Sequence, residues 1–437
     1  MKKIAKLSLV AAVAVVGLTT ANAQPLEEAI KNVDVSGSVV YRYNDYSNDN
    51  EGKANAGSET QTNNYKVGLN LASKVNDDVK LNTRFLVASE KGDFASLNYS
   101  DNADGNVGVS LSNVYFGYTG IQNTTVNVGK QGLTTPWTVA VDSDGNEQTG
   151  TGILALSTVG PVTLAAAYFN QTNLGNSGNG LPDIAQYSKL TDYVADNGTS
   201  GDNTVDALNM AIYNSAASND LGALDVATVG AIGVFGPVTV DAWYLDMQDT
   251  FDTYTLGAKA ATEVSGIKLG ADARFTALTL DDQLASDLGT ETDNSTAKIV
   301  LTGDAGLVDA KIAYATTNKD GGLTALDNDA NTTLLGWSLT SNGKADADYW
   351  QAVLGFDILS NLNLSANYGN LQYIAAANST TDIEEEEIYA QLLYKMSKNL
   401  TTYVRYGTYT KETSAQGVAT VDNNDDTRGR LQVEYTF

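Results

Sequence analysis

The sequence predicts an all-β fold, a transmembrane antiparallel β-barrel of 18 strands with short periplasmic turns and long extracellular loops. Three observations predict it. Apolar and polar residues alternate in eighteen segments, short and long connections alternate between those segments, and after residue 23 no uncharged apolar run approaches the roughly 18 residues of a membrane helix. A chain without such a helix can cross a membrane only as a closed barrel, because hydrocarbon offers backbone polar groups no other partners.

The eighteen segments have the two-residue period of a β-strand. Between Val79 and Val87, for example, apolar residues occupy one face, and Lys80, Asn82 and Arg84 occupy the other. By this period we expect strands near residues 34–45, 63–74, 78–89, 109–119, 124–130, 151–158, 161–170, 225–234, 237–247, 252–262, 265–277, 294–303, 307–316, 348–357, 361–370, 385–395, 399–410 and 426–437.

The connections favour an outer-membrane barrel over other all-β folds. Tight turns alternate with loops rich in Asn, Asp, Gly, Ser and Thr, except that the connection 248–251 is brief. The chain ends in an alternating strand with an aromatic residue, Phe437. A secreted array of β-sandwiches or a solenoid would also contain many short strands. A solenoid has a fixed repeat, which is missing here, and a sandwich array does not need every second connection to be short.

Two segments fit the strand pattern less well. Residues 206–217 are compatible with either a short helix inside a long loop or an additional strand, because apolar residues recur there at a spacing of four. Residues 383–395 begin with four glutamates and end with a lysine, which locally favours a helix. We expect a strand at the second segment because Ile388, Ala390, Leu392 and Tyr394 alternate with polar residues.

The first 23 residues have the features of a secretory signal peptide. Three lysines precede the apolar run Leu7 to Leu18, and Ala21-Asn22-Ala23 fits a cleavage site. Its removal leaves 23 basic and 52 acidic residues, a formal charge of -29. We therefore expect residues 1–23 to be a signal peptide and residues 24–437 to form a single transmembrane β-barrel domain.

The composition excludes several classes of function. The chain has no Cys and no His, so thiolate nucleophiles, Ser-His-Asp relays and His-based zinc sites are absent. Outer-membrane phospholipases and proteases use a catalytic His, and we expect no enzymatic activity here. The negative charge repels phosphate backbones, so we expect no nucleic-acid partner.

The face opposite the apolar one is predicted to line a water-filled lumen. Charged side chains on a lipid face cost roughly 2 to 4 kcal/mol each near the bilayer midplane, so the basic residues of the strands are expected inside. The predicted pore-lining residues are Arg42, Lys66, Lys80, Arg84, Lys268, Arg274, Arg405 and Arg430, with Lys259, Lys311 and Arg428 on the same face. For any single one of them, a solvated charge on the barrel wall without a specific role is an equal alternative.

The third long connection, residues 131–150, is the predicted constriction loop. It contains the run Asp142-Ser143-Asp144-Gly145-Asn146-Glu147, and carboxylate and amide oxygens are the ligands that calcium prefers. Asp142, Asp144 and Glu147 are therefore candidate calcium ligands, although the spacing is not that of an EF-hand. An Asp-Gly turn with solvated acids is the simpler interpretation of the local sequence.

The chain resembles the Campylobacter-type major outer membrane porins, an epsilonproteobacterial family. The resemblance is specific over Pro25 to Gly37, continues in Tyr41-Arg42-Tyr43, and is more diffuse at Gly236-Pro237-Val238, Ala242-Trp243-Tyr244 and the terminal Phe437. It implies a homotrimeric, eighteen-stranded, cation-preferring general porin with a calcium-associated constriction.

The expected function is passive diffusion of small hydrophilic solutes and ions, with a preference for cations, across the bacterial outer membrane. The expected partners are outer-membrane lipid, the solutes and cations, and two further copies of the chain, because Ala271 and Ala273 place small side chains on the outer face. No cofactor is required for such a channel, and calcium is the one candidate ion. The alternative is a barrel whose loops act mainly as an adhesin.

Overall fold

The computed structural model describes residues 33–48, 57–89, 92–96, 98–99, 103–104, 108–174, 221–288, 291–415 and 420–437. The predicted signal peptide, residues 25–32 of the N-terminal motif and the segment 206–217 lie outside the described residues.

Eighteen long strands form one sheet. In chain order they are β1 Val33–Asn48, β2 Glu59–Lys74, β3 Val79–Val87, β4 Val109–Ile121, β5 Thr124–Gly132, β6 Thr149–Val159, β7 Val162–Thr172, β8 Val226–Phe235, β9 Val238–Met247, β10 Phe251–Val264, β11 Ile267–Leu280, β12 Asp293–Asp304, β13 Val308–Thr317, β14 Ala345–Leu359, β15 Leu362–Ile374, β16 Thr381–Ser397, β17 Leu400–Ala415 and β18 Val421–Thr436.

The sheet closes on itself as an antiparallel barrel. Each strand pairs with the next one along the chain, and β18 pairs with β1 from Ser38↔Thr436 to Asn48↔Asp426. At the seam, Gly37 and Phe437 exchange backbone hydrogen bonds of 2.9 and 3.0 Å. A Cβ at Gly37 would overlap the carbonyl oxygen of Gly68 and the ring of Phe437, so the seam requires glycine there. The predicted fold class is confirmed.

Every predicted strand overlaps an observed one, and the differences lie in strand length. The segment predicted at 63–74 begins at Glu59, and the segment predicted at 385–395 runs from Thr381 to Ser397, which confirms a strand rather than a helix there. These extensions carry polar residues on both faces, so hydrophobic alternation does not mark them. Backbone pairing continues beyond the apolar band because each added residue satisfies its hydrogen bonds in the ladder.

The outward face of the barrel is apolar. Leu256 on β10, Leu354 on β14 and Val404 on β17 are each at least half exposed. Exposed tyrosines lie near strand ends at Tyr244, Tyr254, Tyr394 and Tyr435, whereas Tyr168, Trp350, Tyr368 and Tyr406 are exposed farther along their strands. An apolar band flanked by amphipathic aromatic side chains matches the thickness and polarity of a bilayer.

The remaining described elements are small. Ala95–Ser96 pairs with β2, Asn98–Tyr99 pairs with Ala103–Asp104, a 3-10 turn spans Leu221–Ala223 and a short helix spans Asp282–Leu288. Among the described residues, no helix has the length and apolar character of a membrane span.

Two long connections fold into the lumen and pack on its inner wall. Loop 3, the connection 133–148 between β5 and β6, contributes Leu133 and Trp137 to a buried apolar cluster with wall residues such as Phe169. Loop 7, the connection 318–344 between β13 and β14, contributes Leu334 and Leu339 to a second cluster. Burying such side chains contributes roughly 1.5 to 3 kcal/mol each, which keeps both loops inside the barrel.

Candidate functional site

Loop 3 reaches wall strands well away from its own ends at β5 and β6. Trp137 and Gln148 within it have 0% exposure. Its acidic side chains pair with basic residues of four strands, namely Arg84 of β3, Lys66 of β2, Arg42 of β1 and Arg430 of β18. The loop therefore spans an arc of the inner wall from β5 and β6 to β18, and its role as a constriction stays a prediction.

Glu147 is the principal anchor of loop 3. Its carboxylate lies 2.7 Å from Lys66 Nζ and 2.7 Å from Arg84 Nη2, and it accepts a 2.6 Å hydrogen bond from the Ser112 hydroxyl. Burial acts to raise the pKa of Glu147, but the hydrogen bonds and charges of Arg84 and Lys66 together outweigh burial, so its pKa lies below the usual value. Glu147 is thus an ionised structural partner of two buried cations.

Asp144 fixes the tip of loop 3 against the seam of the barrel. Arg42 Nη1 lies 2.8 Å from its carboxylate, and Arg430 Nη1 lies 3.5 Å from the same oxygen. Arg42 also donates a 2.5 Å hydrogen bond to the carbonyl oxygen of Ser143. Because Arg42 is on β1 and Arg430 is on β18, this contact joins the loop to both strands of the seam.

Loop 7 meets loop 3 inside the barrel. The backbone N–H of Leu326 donates to the carbonyl of Trp137 at 2.8 Å, and the Gln148 amide donates to the carbonyl of Leu326 at 2.5 Å. The N–H and hydroxyl of Ser143 both donate to Asp329 at 2.9 Å. The two loops therefore form one continuous structure in the lumen.

The other end of loop 7 is fixed to the wall near the seam of the barrel. The N–H groups of Trp337 and Ser338 donate to the Glu387 carboxylate of β16 at 2.9 and 2.7 Å. The Trp337 ring packs edge-on against Tyr389 and Tyr46, with ring centroids 5.2 and 6.3 Å apart. Loop 7 is thus held at β1 and β16 as well as at loop 3.

Three carboxylates converge where the loops meet. One oxygen each from Asp142 of loop 3 and from Asp327 and Asp329 of loop 7 lie within 4.8 Å of one another, the single such group found among the described residues. Asp142 accepts hydrogen bonds of 2.7 Å from the backbone N–H and the side-chain amide of Asn146. Asp327 has 0% exposure, and its Oδ2 has no hydrogen-bond partner.

Two carboxylates of this group, Asp142 and Asp327, hold protons more tightly than isolated acids. Burial raises the pKa of Asp142 to about 6 and that of Asp327 to about 8, and neighbouring acids add to both shifts. A buried acceptor without a donor and two mutually repelling acids form a site that a cation would stabilise. Hard oxygen donors of this kind suit calcium.

The structure divides the predicted calcium ligands. Asp142 lies in the carboxylate group, whereas Asp144 is paired with Arg42 and Arg430, and Glu147 is paired with Lys66 and Arg84. Oxygens that already bind two cationic side chains are poor ligands for a further cation. The candidate set from the structure is therefore Asp142 with Asp327 and Asp329, two residues that the local sequence of loop 3 could not supply.

Sequence reasoning missed the part played by loop 7. A signal was present, because Leu323, Leu326, Leu334 and Leu339 are unusual in a solvated loop, and the run Asp327-Asn328-Asp329 resembles the acidic run of loop 3. Apolar residues in a long connection indicate that it packs on something. Which surface it packs on depends on barrel geometry, which the sequence does not show.

The family of the chain follows from comparison with known proteins. The family model described as Campylobacter major outer membrane protein matches residues 1–437. The chain belongs to this family. No curated protein sequence matches it.

Solved outer-membrane channels share the fold of this porin. OccAB3 of Acinetobacter baumannii has a TM-score of 0.66 at 13% identity, covering 92% of this chain and 99% of that one. OccK2 (OpdF) of Pseudomonas aeruginosa has a TM-score of 0.64 at 15% sequence identity, and the match covers 92% of this chain and 98% of that one. OpdK of the same organism, solved with vanillate, has a TM-score of 0.63 at 16% sequence identity, and the match covers 92% of this chain and 98% of that one. At such identities the likeness shows the fold alone.

Family and fold together place this porin in the bacterial outer membrane as a channel for small solutes. They also point to a non-enzymatic channel, in agreement with the composition.

The eight predicted pore-lining residues occupy inward positions on their strands. Four of them contact loop 3, namely Arg42, Lys66, Arg84 and Arg430. Lys80 and Lys268 lie beside periplasmic turns, and Lys268 pairs with Asp304 at 3.0 Å. Arg274 is buried against Asp241 at 2.7 Å, and Arg405 donates to Gln391 at 2.9 and 2.7 Å. Their role in solute passage stays a prediction.

Changing Glu147 to Gln should loosen loop 3. The substitution leaves Lys66 and Arg84 without their shared carboxylate, and breaking a buried ion pair costs about 3 to 5 kcal/mol. We expect a lower unfolding temperature of the detergent-solubilised barrel, measured by circular dichroism, and a larger single-channel conductance. The matched control is Glu263→Gln, an exposed glutamate at the end of β10. An E147Q protein as stable as the wild type would contradict the anchoring role of Glu147.

Proposed function

We propose that this channel is a general-diffusion porin that prefers cations. The observation that carries the proposal is the pair of joined loops inside a barrel whose inner wall bears polar and charged side chains. Such a constriction restricts passage by size and charge, and the protein needs no further chemistry to admit small hydrophilic solutes.

The distribution of charge supports the preference for cations. The expected mature chain carries a formal charge of -29, so acids outnumber bases more than two to one. Within the lumen, the charges of Asp144 and Glu147 are offset by wall residues, whereas the partly exposed Asp329 forms no salt bridge with any described residue. Carboxylates at a narrow point concentrate cations locally, whereas distant charges are screened beyond about 8 Å at physiological salt.

Planar bilayers containing the purified protein test both parts of the proposal. We expect stable single-channel steps, and a reversal potential under a potassium chloride gradient that reports cation preference. Changing Asp142, Asp327 and Asp329 together to Asn should reduce that preference. The control changes Asp246, Asp249 and Asp252 to Asn. These three acids lie beside the turn between β9 and β10, on the extracellular side of the barrel. Anion selectivity in the wild type would refute the preference, and a silent barrel that binds host surfaces would favour the adhesin function.

We also propose that Asp142, Asp327 and Asp329 bind calcium. Convergence of the three carboxylates and the unpartnered Oδ2 of Asp327 support the proposal. A bound calcium ion would supply positive charge between two loops. Asp142 and Asp327 would then be ionised rather than protonated, and the three residues would hold loop 3 and loop 7 together through the ion.

Stability as a function of pH distinguishes the calcium-bound from the calcium-free group. The pKa values of about 6 for Asp142 and about 8 for Asp327 exceed the unfolded-state value of about 4. Calcium-free protein should therefore lose stability as pH rises from about 4 to 8. At pH 8, calcium at 100 times its Kd should restore about 2.7 kcal/mol, and at pH 5 the gain should be smaller. The measurement is the unfolding temperature in chelator and in calcium.

The variant Asp327→Asn tests the assignment to this group. It should lose most of the calcium effect and flatten the pH dependence, whereas Asp249→Asn on an exposed turn should behave as the wild type. Equal calcium stabilisation in D327N would place the ion elsewhere.

We further propose a homotrimer. Ala271 and Ala273 on β11 are outward and exposed, and they pair in register with Ala260 and Ala258 on β10, so four small side chains form a flat patch. Small outward side chains allow two barrels to approach closely.

Native mass spectrometry in detergent tests the assembly. We expect trimers in the wild type and a smaller trimer fraction when Ala271 is changed to Trp. Changing Leu354, an outward leucine of β14, to Trp is the control because it lies away from the patch. Exclusively monomeric wild-type protein would contradict the proposal.

A further inference from the structure

A polar cavity lies beside the two joined loops, inside the barrel. Its volume is ≈ 520 Å³, and it is bounded by loop 3, by loop 7 and by the wall from β12 to β18. Its lining includes Lys298, Lys311, Arg405, Trp337, Tyr389 and Gln351. The volume falls within the range of roughly 300 to 1,000 Å³ that is usual for sites of small ligands.

Three cationic side chains of this cavity hydrogen-bond only to neutral groups and form no salt bridge among the described residues. Lys298 Nζ donates to the carbonyl of Thr333 at 2.9 Å, and Lys311 Nζ donates to the Gln351 side chain at 2.9 Å. Arg405 donates to Gln391 at 2.9 and 2.7 Å. The other lumenal cations described above differ, because Arg42, Lys66, Arg84 and Arg274 each have a carboxylate partner.

The strand register places these cations around one part of the wall. Lys311, Val353, Asn367 and Tyr389 are successive partners across β13, β14, β15 and β16, so they form one inward row. Gln391, the partner of Arg405 in the sheet, lies two residues beyond Tyr389 on the same face. Lys298 and Lys311 thus approach the cavity from the adjoining strands β12 and β13, and Arg405 approaches it from β17, four strands farther around the wall.

Aromatic rings hold the guanidinium of Arg405 in place. Its Cζ lies 5.1 Å from the ring centroid of Trp337, 5.0 Å from that of Tyr389 and 5.2 Å from that of Tyr403. Cation–π contacts with three rings restrict the side chain without neutralising its charge. A preorganised guanidinium loses little entropy when it binds a carboxylate.

The acids that border the cavity already have partners. Asp144 pairs with Arg42 and Arg430, and Glu387 accepts the backbone N–H groups of loop 7. Asp329 accepts two hydrogen bonds from Ser143 within the carboxylate group. On the side of the cavity formed by Lys298, Lys311 and Arg405, three cations lack a salt bridge among the described residues, and the carboxylates of Asp272 and Glu387 attract them only over longer distances.

We propose that this cavity binds small organic carboxylates during their passage through the channel. The inference rests on the proposed channel function and adds a solute class to it. Lys298, Lys311 and Arg405 supply charged donors for one or two carboxylate groups, and Asn367 and Gln351 supply further polar contacts. Such a site coexists with cation preference, because the reversal potential reports the many small ions, whereas the cavity acts on individual solutes.

Block of the potassium current by succinate tests the site, with the uncharged diamide succinamide as the matched probe. Free calcium is held constant, because succinate binds calcium weakly. We expect succinate to reduce the current at concentrations at which succinamide has no effect. The double variant Lys298→Gln/Lys311→Gln should require about tenfold more succinate for the same block. Lys74→Gln/Lys398→Gln makes the same charge change at exposed positions beside the periplasmic turns and should keep the wild-type block.

The double variant Lys298→Arg/Lys311→Arg separates charge from effects on loop 7, and we expect it to retain block. Equal block by succinate and succinamide, or equal succinate block in the wild type and K298Q/K311Q, would overturn the carboxylate site while leaving the channel function intact. A barrel that conducts no ions would overturn the channel function itself, and this inference with it.

Discussion

The ion pairs of Glu147 with Lys66 and Arg84 are the interaction on which the lumen depends. All three side chains are nearly inaccessible to water, with 3%, 5% and 13% exposure, so each charge requires the others. The wall side chains of an eighteen-stranded β-barrel do not fill its interior, so loops must fold inward to occupy part of it. The acids of loop 3 and the bases of the wall compensate one another, which fixes the loop where apolar packing alone would allow it to slide.

Loop 7 depends on loop 3 in turn. Its contacts with Trp137, Ser143 and Gln148 exist only when loop 3 occupies the lumen, and its far end needs Glu387 to satisfy the backbone at Trp337. The carboxylate group of Asp142, Asp327 and Asp329 combines residues from both loops. Electrostatic anchoring of one loop thus sets the position of a second, and their junction creates the most acidic point described within the barrel.

The barrel could be predicted from sequence because its determinants are local. Alternation along segments such as Val79–Val87 fixes which face meets lipid, and the length of each connection fixes on which side of the membrane it lies. The contents of the lumen could not be predicted in the same way. Lys298 follows the same alternation as the predicted lining residues, yet its hydrogen bond to Thr333 depends on loop 7. The proximity of Asp327 to Asp142 joins residues 185 positions apart in the sequence. Such contacts form only after the barrel has closed and its loops have folded into the lumen.

The seam between β1 and β18 has a consequence for biogenesis. Backbone partners such as Ser38 and Thr436 lie on β1 and β18, the first and last strands of the barrel. The barrel therefore cannot close until β18 has been exported. Until then, both terminal strands present unsatisfied edges that could pair with another chain. Closing the barrel brings together two strands that are separated by nearly the whole chain, and contacts of such large sequence separation slow folding. The open sheet therefore needs cellular factors that shield its edges before closure.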